Sequence, residues 1–227
     1  AETLQIFLAG NAYEQDAHFP ALFFQTSFII SPDAKIILRY RRLYSLFSPT
    51  PLDVWERYQD VYSDDEIFPV VDTEIGRLSA LASEEILFPE IARILASKGA
   101  EIILHPTSEA ARATHSPKSI CAHARAIENM AYVMTANSGG ILGTDLPPHS
   151  TDGHSKIIDF EGHILCEAGA GDSMSAFGSI DISALRHFRR TEGMHNLLSR
   201  QRTKDFTPYF ENADYEDLAT LNRPVFL

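Results

Sequence analysis

The stretch Gly76-Arg77-Leu78-Ser79-Ala80-Leu81-Ala82-Ser83-Glu84-Glu85-Ile86-Leu87-Phe88-Pro89-Glu90 passes from a strand pattern into a helix start. Leu78–Ala82 is a short apolar run of strand length. Pro89 suits a first helical turn, where the N–H it lacks has no partner anyway. From Pro89 to Lys98, Ile91, Ala92 and Leu95 share one face, and Gly99 stands just past the end. Glu101–His105 then reads as another strand. Strand, turn, helix and strand in one unit predict a layered α/β fold.

The same patterns extend outward. Strands are expected at Leu4–Leu8, Phe23–Ile30, Lys35–Tyr40, Phe68–Asp72, Tyr132–Ala136, Lys156–Phe160 and Phe177–Ile182. Ser119–Met130 carries Ile120, Ala124, Ile127 and Ala131 on one helical stripe, and Leu52–Tyr62 reads as a shorter helix with Trp55 and Tyr58. Ser31-Pro32-Asp33 and Phe160-Glu161-Gly162-His163 are hairpin turns, and Gly139–Gly153 is a loop. No repeat and no break in composition marks a second domain. One domain over residues 1–200 is therefore expected, with 201–227 as an extended aromatic tail packed on that domain or on a neighbouring subunit.

Composition narrows the function. The 227 residues are 44 % hydrophobic and 22 % charged, values of a globular chain rather than a disordered one. A net charge of −12 argues against nucleic acid and anionic membrane as partners, since both need basic surface. Two cysteines, Cys121 and Cys166, make no disulfide framework and suit a reducing compartment such as the cytoplasm. No apolar run reaches the roughly 18–20 residues of a membrane span. Residue 1 is Ala with no charged-then-apolar leader behind it, so the start is expected to be processed, cut or not the natural one.

The central stretch, continued by Ala92-Arg93, Lys98-Gly99-Ala100-Glu101 and His105-Pro106-Thr107-Ser108, resembles the nucleophile region of the nitrilase superfamily of carbon–nitrogen hydrolases. Ser31-Pro32-Asp33-Ala34-Lys35-Ile36-Ile37, leading to Tyr40-Arg41-Arg42-Leu43, is similar to the segment carrying that family's lysine. Arg125-Ala126-Ile127-Glu128-Asn129 with Tyr132 and Asn137 resembles the helix–strand unit after the nucleophile, and Gly153–Gly162 the hairpin near the end. The resemblance implies an α–β–β–α four-layer sandwich, here without its first strand–helix–strand portion, and pairing of chains into a dimer or larger oligomer. It implies an amidase-type reaction on a small amide, with no metal and no cofactor. It also leaves room for a partner chain that supplies the missing segment.

The departures bear on chemistry. The family's triad resembles Glu–Lys–Cys, whereas this chain has Ser83 at the cysteine position and Arg42 at the lysine position. The triad glutamate belongs to the portion expected to be missing. A thiol becomes a useful nucleophile after a modest pKa shift, while a serine hydroxyl needs a base within hydrogen-bond reach. An impaired or inactive site is the expectation. A non-catalytic assembly subunit and an engineered cysteine-to-serine variant of an active amidase are the alternatives. Ser83 is a slow nucleophile or a small filler; no Gly-x-Ser-x-Gly surrounds it. Strand alternation turns Arg42 inward with Tyr40, and Arg39 and Arg41 toward solvent or a partner. Arg42 is then an anion clamp or half of an ion pair with Glu85 or Glu56. Glu56 is also a candidate second glutamate of the site. Glu84, Glu85, Pro106, Thr107 and Asn137 are expected to wall the pocket, and Glu128 to pair with Arg93 or Arg125.

His149, Asp152, His154 and His163 match no zinc spacing and read as a solvated loop. Cys121 and Cys166 read as core residues. Phe206, Tyr209, Phe210, Tyr215 and Phe226 make the tail a candidate arm across a neighbouring subunit.

Overall fold

The computed structural model describes residues 1–110, 116–151, 153–171 and 173–211. After a 3₁₀ turn at Glu2–Leu4, β1 (Leu8–Asp16), β2 (Phe19–Ile30) and β3 (Ile36–Arg41) form an antiparallel sheet in that order. Two short helices follow, α1 (Trp55–Val61) and α2 (Asp64–Ile67). Then β4 (Val71–Thr73), β5 (Gly76–Ala80), β6 (Ile102–Thr107), β7 (Tyr132–Asn137), β8 (Lys156–Ile158) and β9 (Ile164–Glu167) form a six-stranded sheet in sequence order. Its centre, β5-β6-β7, is parallel. The crossovers that parallel pairing demands are α3 (Pro89–Ser97) and α4 (Pro117–Asn129).

Burial gives the layers. Ile29, Leu38 and Tyr40 of the small sheet join Leu78, Ala80, Ile103 and Val133 of the large one, with Leu95 of α3 and Ala126 of α4, in one core. The opposite face of the small sheet puts Phe19, Leu22 and Phe24 against Tyr58 and Ile67 of α1 and α2. The order is helices, sheet, sheet, helices, as expected. Among the described residues no helix is long and apolar enough to cross a membrane.

Several expectations need correction. Leu4–Leu8 is not a strand; the first strand is Leu8–Asp16, whose small residues hide it from a hydrophobicity pattern. Gly10 is small because a Cβ there would lie 2.7 Å from the Phe28 ring on the neighbouring strand. Phe177–Ile182 is not a strand either. Phe177 is exposed, and Ile182 opens α5 (Ile182–Arg190), capped by Asp181 Oδ1 accepting from Ala184 N at 2.8 Å. α5 buries Leu185 and lies over the starts of β6 and β7, where Arg189 donates to the carbonyls of Ala100 and Met130 at 2.6 and 2.9 Å. The tail is not extended at its beginning: Thr203–Glu211 is an exposed helix, α6. Tyr215 and Phe226 lie outside the described residues.

Arg41 also departs from its expected place. Arg39 is half-exposed, but the Arg41 side chain is only 8 % exposed. It pairs with Glu14 and Asp16 and lies 4.7 Å from the Tyr62 ring centroid. α1 and α2 cover this face of the small sheet, so an inward arginine finds carboxylates and aromatic faces there rather than water.

Candidate active site

Ser83, Pro106 and Asn137 stand at or just past the carboxyl ends of β5, β6 and β7. That is the end of a parallel sheet where side chains from several strands converge on one crevice. Ser83 opens a 3₁₀ turn (Ser83–Leu87) with φ of 52°, a left-handed conformation that costs a non-glycine residue about 1–3 kcal/mol. His105 Nε2 lies 2.8 Å from the Ser83 carbonyl oxygen, and His105 Nδ1 3.3 Å from Thr135 Oγ1. Burial pushes the His105 imidazole down to about 4, so it is neutral at pH 7 and donates to that carbonyl.

Glu85 is the lock of the site. It is fully buried, and its Oε1 accepts from Tyr40 OH at 2.7 Å and from the backbone N–H of Leu43 at 2.7 Å and Tyr44 at 3.3 Å. Its Oε2 accepts from Ala82 N at 2.8 Å. One carboxyl group therefore ties the end of β3 to the turn after β5. Burial raises it to about 7, against the lowering effect of its hydrogen bonds. Tyr40, buried beside it, is pushed well above the usual phenol range, first by burial and then by the Glu85 charge.

That lock sets Arg42 beside the Ser83 turn. The guanidinium pairs with Glu84, donates to Gln25 Oε1, and donates from Nε to the Tyr44 carbonyl at 2.6 Å. Gln25 is held in turn, since its Nε2 donates to Asn11 Oδ1 at 3.0 Å and Asn11 donates to Ser27 Oγ at 3.1 Å. Arg42 does point inward with Tyr40, but its carboxylate is Glu84, not Glu85 or Glu56. Glu85 is occupied by Tyr40 and backbone donors, and Glu56, exposed on α1, makes no hydrogen bond or ion pair with Arg42 or Ser83 among the described residues.

Pro106 borders a cleft of about 280 Å³ between the two sheets, lined also by Gly10, Phe28, His105, Thr135 and Lys156. Thr107 follows it with a buried Oγ1 that has no hydrogen-bond partner among the described residues. Asn137 joins two loops: its Oδ1 accepts from Glu109 N at 2.8 Å and its Nδ2 donates to Gly153 O at 2.7 Å. Glu128 pairs with Arg125 at 2.8 Å, one of the two partners expected. Cys121 and Cys166 are half-buried free thiols on α4 and β9. His154 pairs with Glu167 and His163 with Asp159, each at 3.3 Å, while Asp152 lies outside the described residues.

Sequence reading missed Lys118 and Glu109. Lys118 Nζ donates to Ser83 Oγ at 3.2 Å and lies 3.6 Å from Glu109 Oε2. A signal was present. Lysine in a first helical turn, just after Ser116-Pro117, opposes the helix dipole and asks for a local reason.

Comparison with known proteins agrees with this geometry. A family model for carbon–nitrogen hydrolases matches residues 1–190. The omega-amidase NIT3 of Saccharomyces cerevisiae is 25 % identical over 190 residues, 84 % of this chain and 64 % of that one. The human omega-amidase NIT2 is 23 % identical over 191 residues, 84 % of this chain and 67 % of the relative. The chain thus spans about two thirds of the length of these relatives. The crystal structure of yeast Nit3 superposes with a TM-score of 0.65 at 25 % identity, over 86 % of this chain and 66 % of that one. A carbon–nitrogen hydrolase from Helicobacter pylori G27 superposes at 0.73 with 21 % identity, over 94 % and 74 % of the two chains. Ordered motifs, two facing sheets and a strained turn at the strand ends all meet in one conclusion: the chain belongs to the carbon–nitrogen hydrolase family.

Proposed function

We propose that the protein is an amidase-like member of this family that accepts small amide-type ligands but hydrolyses carboxamides far more slowly than a cysteine amidase. The supporting observation is the engagement of Arg42. Each side of its guanidinium already has an acceptor in Tyr44, Gln25 or Glu84, so it is not free to receive a developing oxyanion. A serine hydroxyl in place of a thiol weakens the nucleophile further.

The test is ammonia release from short carboxamides by the native protein, Ser83→Cys, Arg42→Lys and the double variant. Native turnover is expected well below about 1 s⁻¹, the lower end of ordinary enzymes. The double variant is expected to gain most. Native turnover at ordinary enzyme rates refutes the reading, and a folded double variant that stays silent refutes the assignment of the defect to these two positions.

Self-association is a second part of this proposal. Ile120 and Ile127 share an outward stripe of α4 and are exposed, which suits burial against a second copy. Light scattering at twice the chain mass is the expected result.

A further inference from the structure

Taking Ser83 as the family's nucleophile position, as above, the groups that touch its hydroxyl matter most. Lys118 reaches it from the first turn of α4, with Nζ 3.2 Å from Ser83 Oγ and 3.4 Å from the Ser108 carbonyl. Glu109 stands on the far side of the ammonium at 3.6 Å. The two side chains are only 16 % and 13 % exposed, so water does little to screen the pair. Glu109 Oε2 has no hydrogen-bond partner among the described residues, which leaves Lys118 as the cation it faces. Backbone placement is fixed at both ends: Glu109 N donates to Asn137, and the Ser83 carbonyl accepts from His105. His105 faces Lys118 too, but it is neutral and adds no second positive charge at pH 7.

We propose that Ser83, Lys118 and Glu109 form an acyl-transfer unit that works on activated esters. Ser83 is the nucleophile, Lys118 in its amine form is the base, and Glu109 orients Lys118. The Lys118 lone pair takes the hydroxyl proton while Ser83 Oγ bonds to the acyl carbon. The carbon–oxygen bond to the leaving group then breaks, and a phenolate departs with the bonding electrons and needs no proton. Lys118 gives that proton to solvent. Water then attacks the acyl carbon as Lys118 takes a proton from it, and the bond to Ser83 Oγ breaks as Lys118 returns the proton to that oxygen. The released acid ionises to a carboxylate in solvent. A carboxamide is a poorer donor because its nitrogen must be protonated before it departs.

The experiment uses the full chain with p-nitrophenyl acetate, read as a nitrophenol burst and as acetyl mapped to the peptide bearing Ser83. A burst is expected that Ser83→Ala removes. Lys118→Met is expected to slow acylation by about 10²-fold or more, and Lys118→Arg not to restore it, since arginine keeps the charge but does not give up a proton. Should Lys118→Met fail to fold, Glu109→Gln serves instead: without the orienting carboxylate, acylation of Ser83 is expected to slow about tenfold or more, with Glu109→Asp restoring part of the rate. Acetyl on Lys118 with Ser83 unmodified, an unchanged rate in Lys118→Met, full rescue by Lys118→Arg, or an unslowed burst in Glu109→Gln overturns the proposal. None of these outcomes touches the amidase reading, which fails on rapid ammonia release instead.

Discussion

Glu85 and His105 are both fully buried, the one within the Ser83 turn and the other bonded to the Ser83 carbonyl, and titrate in opposite senses. The folded state holds the Glu85 proton more tightly than the unfolded chain, with a pKa raised from 4.5 to about 7. Its contribution is complete below the unfolded value and is lost as pH rises through 7. Between pH 5 and 8 that loss is about 2–3 kcal/mol by proton linkage. His105 is depressed from 6.5 to about 4, so the unfolded chain binds the extra proton. Its contribution is present above 6.5 and lost on acidification, a gain of about 2 kcal/mol from pH 5 to 8. The two nearly cancel, and the native protein is expected to show a flat profile, within about 1 kcal/mol, over that window. Glu85→Gln keeps the acceptor facing Tyr40, Leu43 and Tyr44 but turns a donor toward Ala82 N, so it should lower stability by about 1–3 kcal/mol. More tellingly, it should leave His105 uncompensated, so that stability rises by about 2 kcal/mol from pH 5 to 8. His105→Gln should give the opposite slope. Urea midpoints at pH 5, 6, 7 and 8, at constant m, measure both. A Glu85→Gln profile parallel to the native one refutes the reasoning.

Two further substitutions test the frame. Arg41→Met leaves Glu14 and Asp16 facing aromatic rings without their cation, and is expected to cost about 3–5 kcal/mol in urea unfolding. Gly10→Ala brings a methyl group to 2.7 Å from the Phe28 ring, so it should cost about 1–3 kcal/mol, and less in a Phe28→Leu background if that contact is the cause.

The strands and helices that sequence reveals are those whose apolar residues alternate or recur. Ile91, Ala92 and Leu95 mark α3, and Tyr132–Ala136 marks β7, because burial there is on one face or complete. β1 escapes because its covered positions are small or polar: Gly10 leaves room for the Phe28 ring, and Asn11, on the other face, bonds to Ser27. α5 escapes because Leu185 is its one buried residue and its arginines do the rest of the docking. At the candidate site, motif order singles out Ser83 and Arg42, and strand alternation predicts the inward turn of Arg42. It misassigns the partner of Arg42, because Glu84 and Glu85 are adjacent and only the turn geometry decides which of them faces the guanidinium. Lys118 escapes for a different reason. Its meeting with Ser83 joins residues 35 apart in sequence, and no local pattern encodes that distance.

The arginines of α5 fasten the amino-terminal ends of β6 and β7, while Ser83, Thr107 and Asn137 occupy or follow the opposite ends of the central strands. The clasp and the candidate site are thus separated by the length of a strand. Side chains at the Ser83 rim can be exchanged without loosening the fastening beneath.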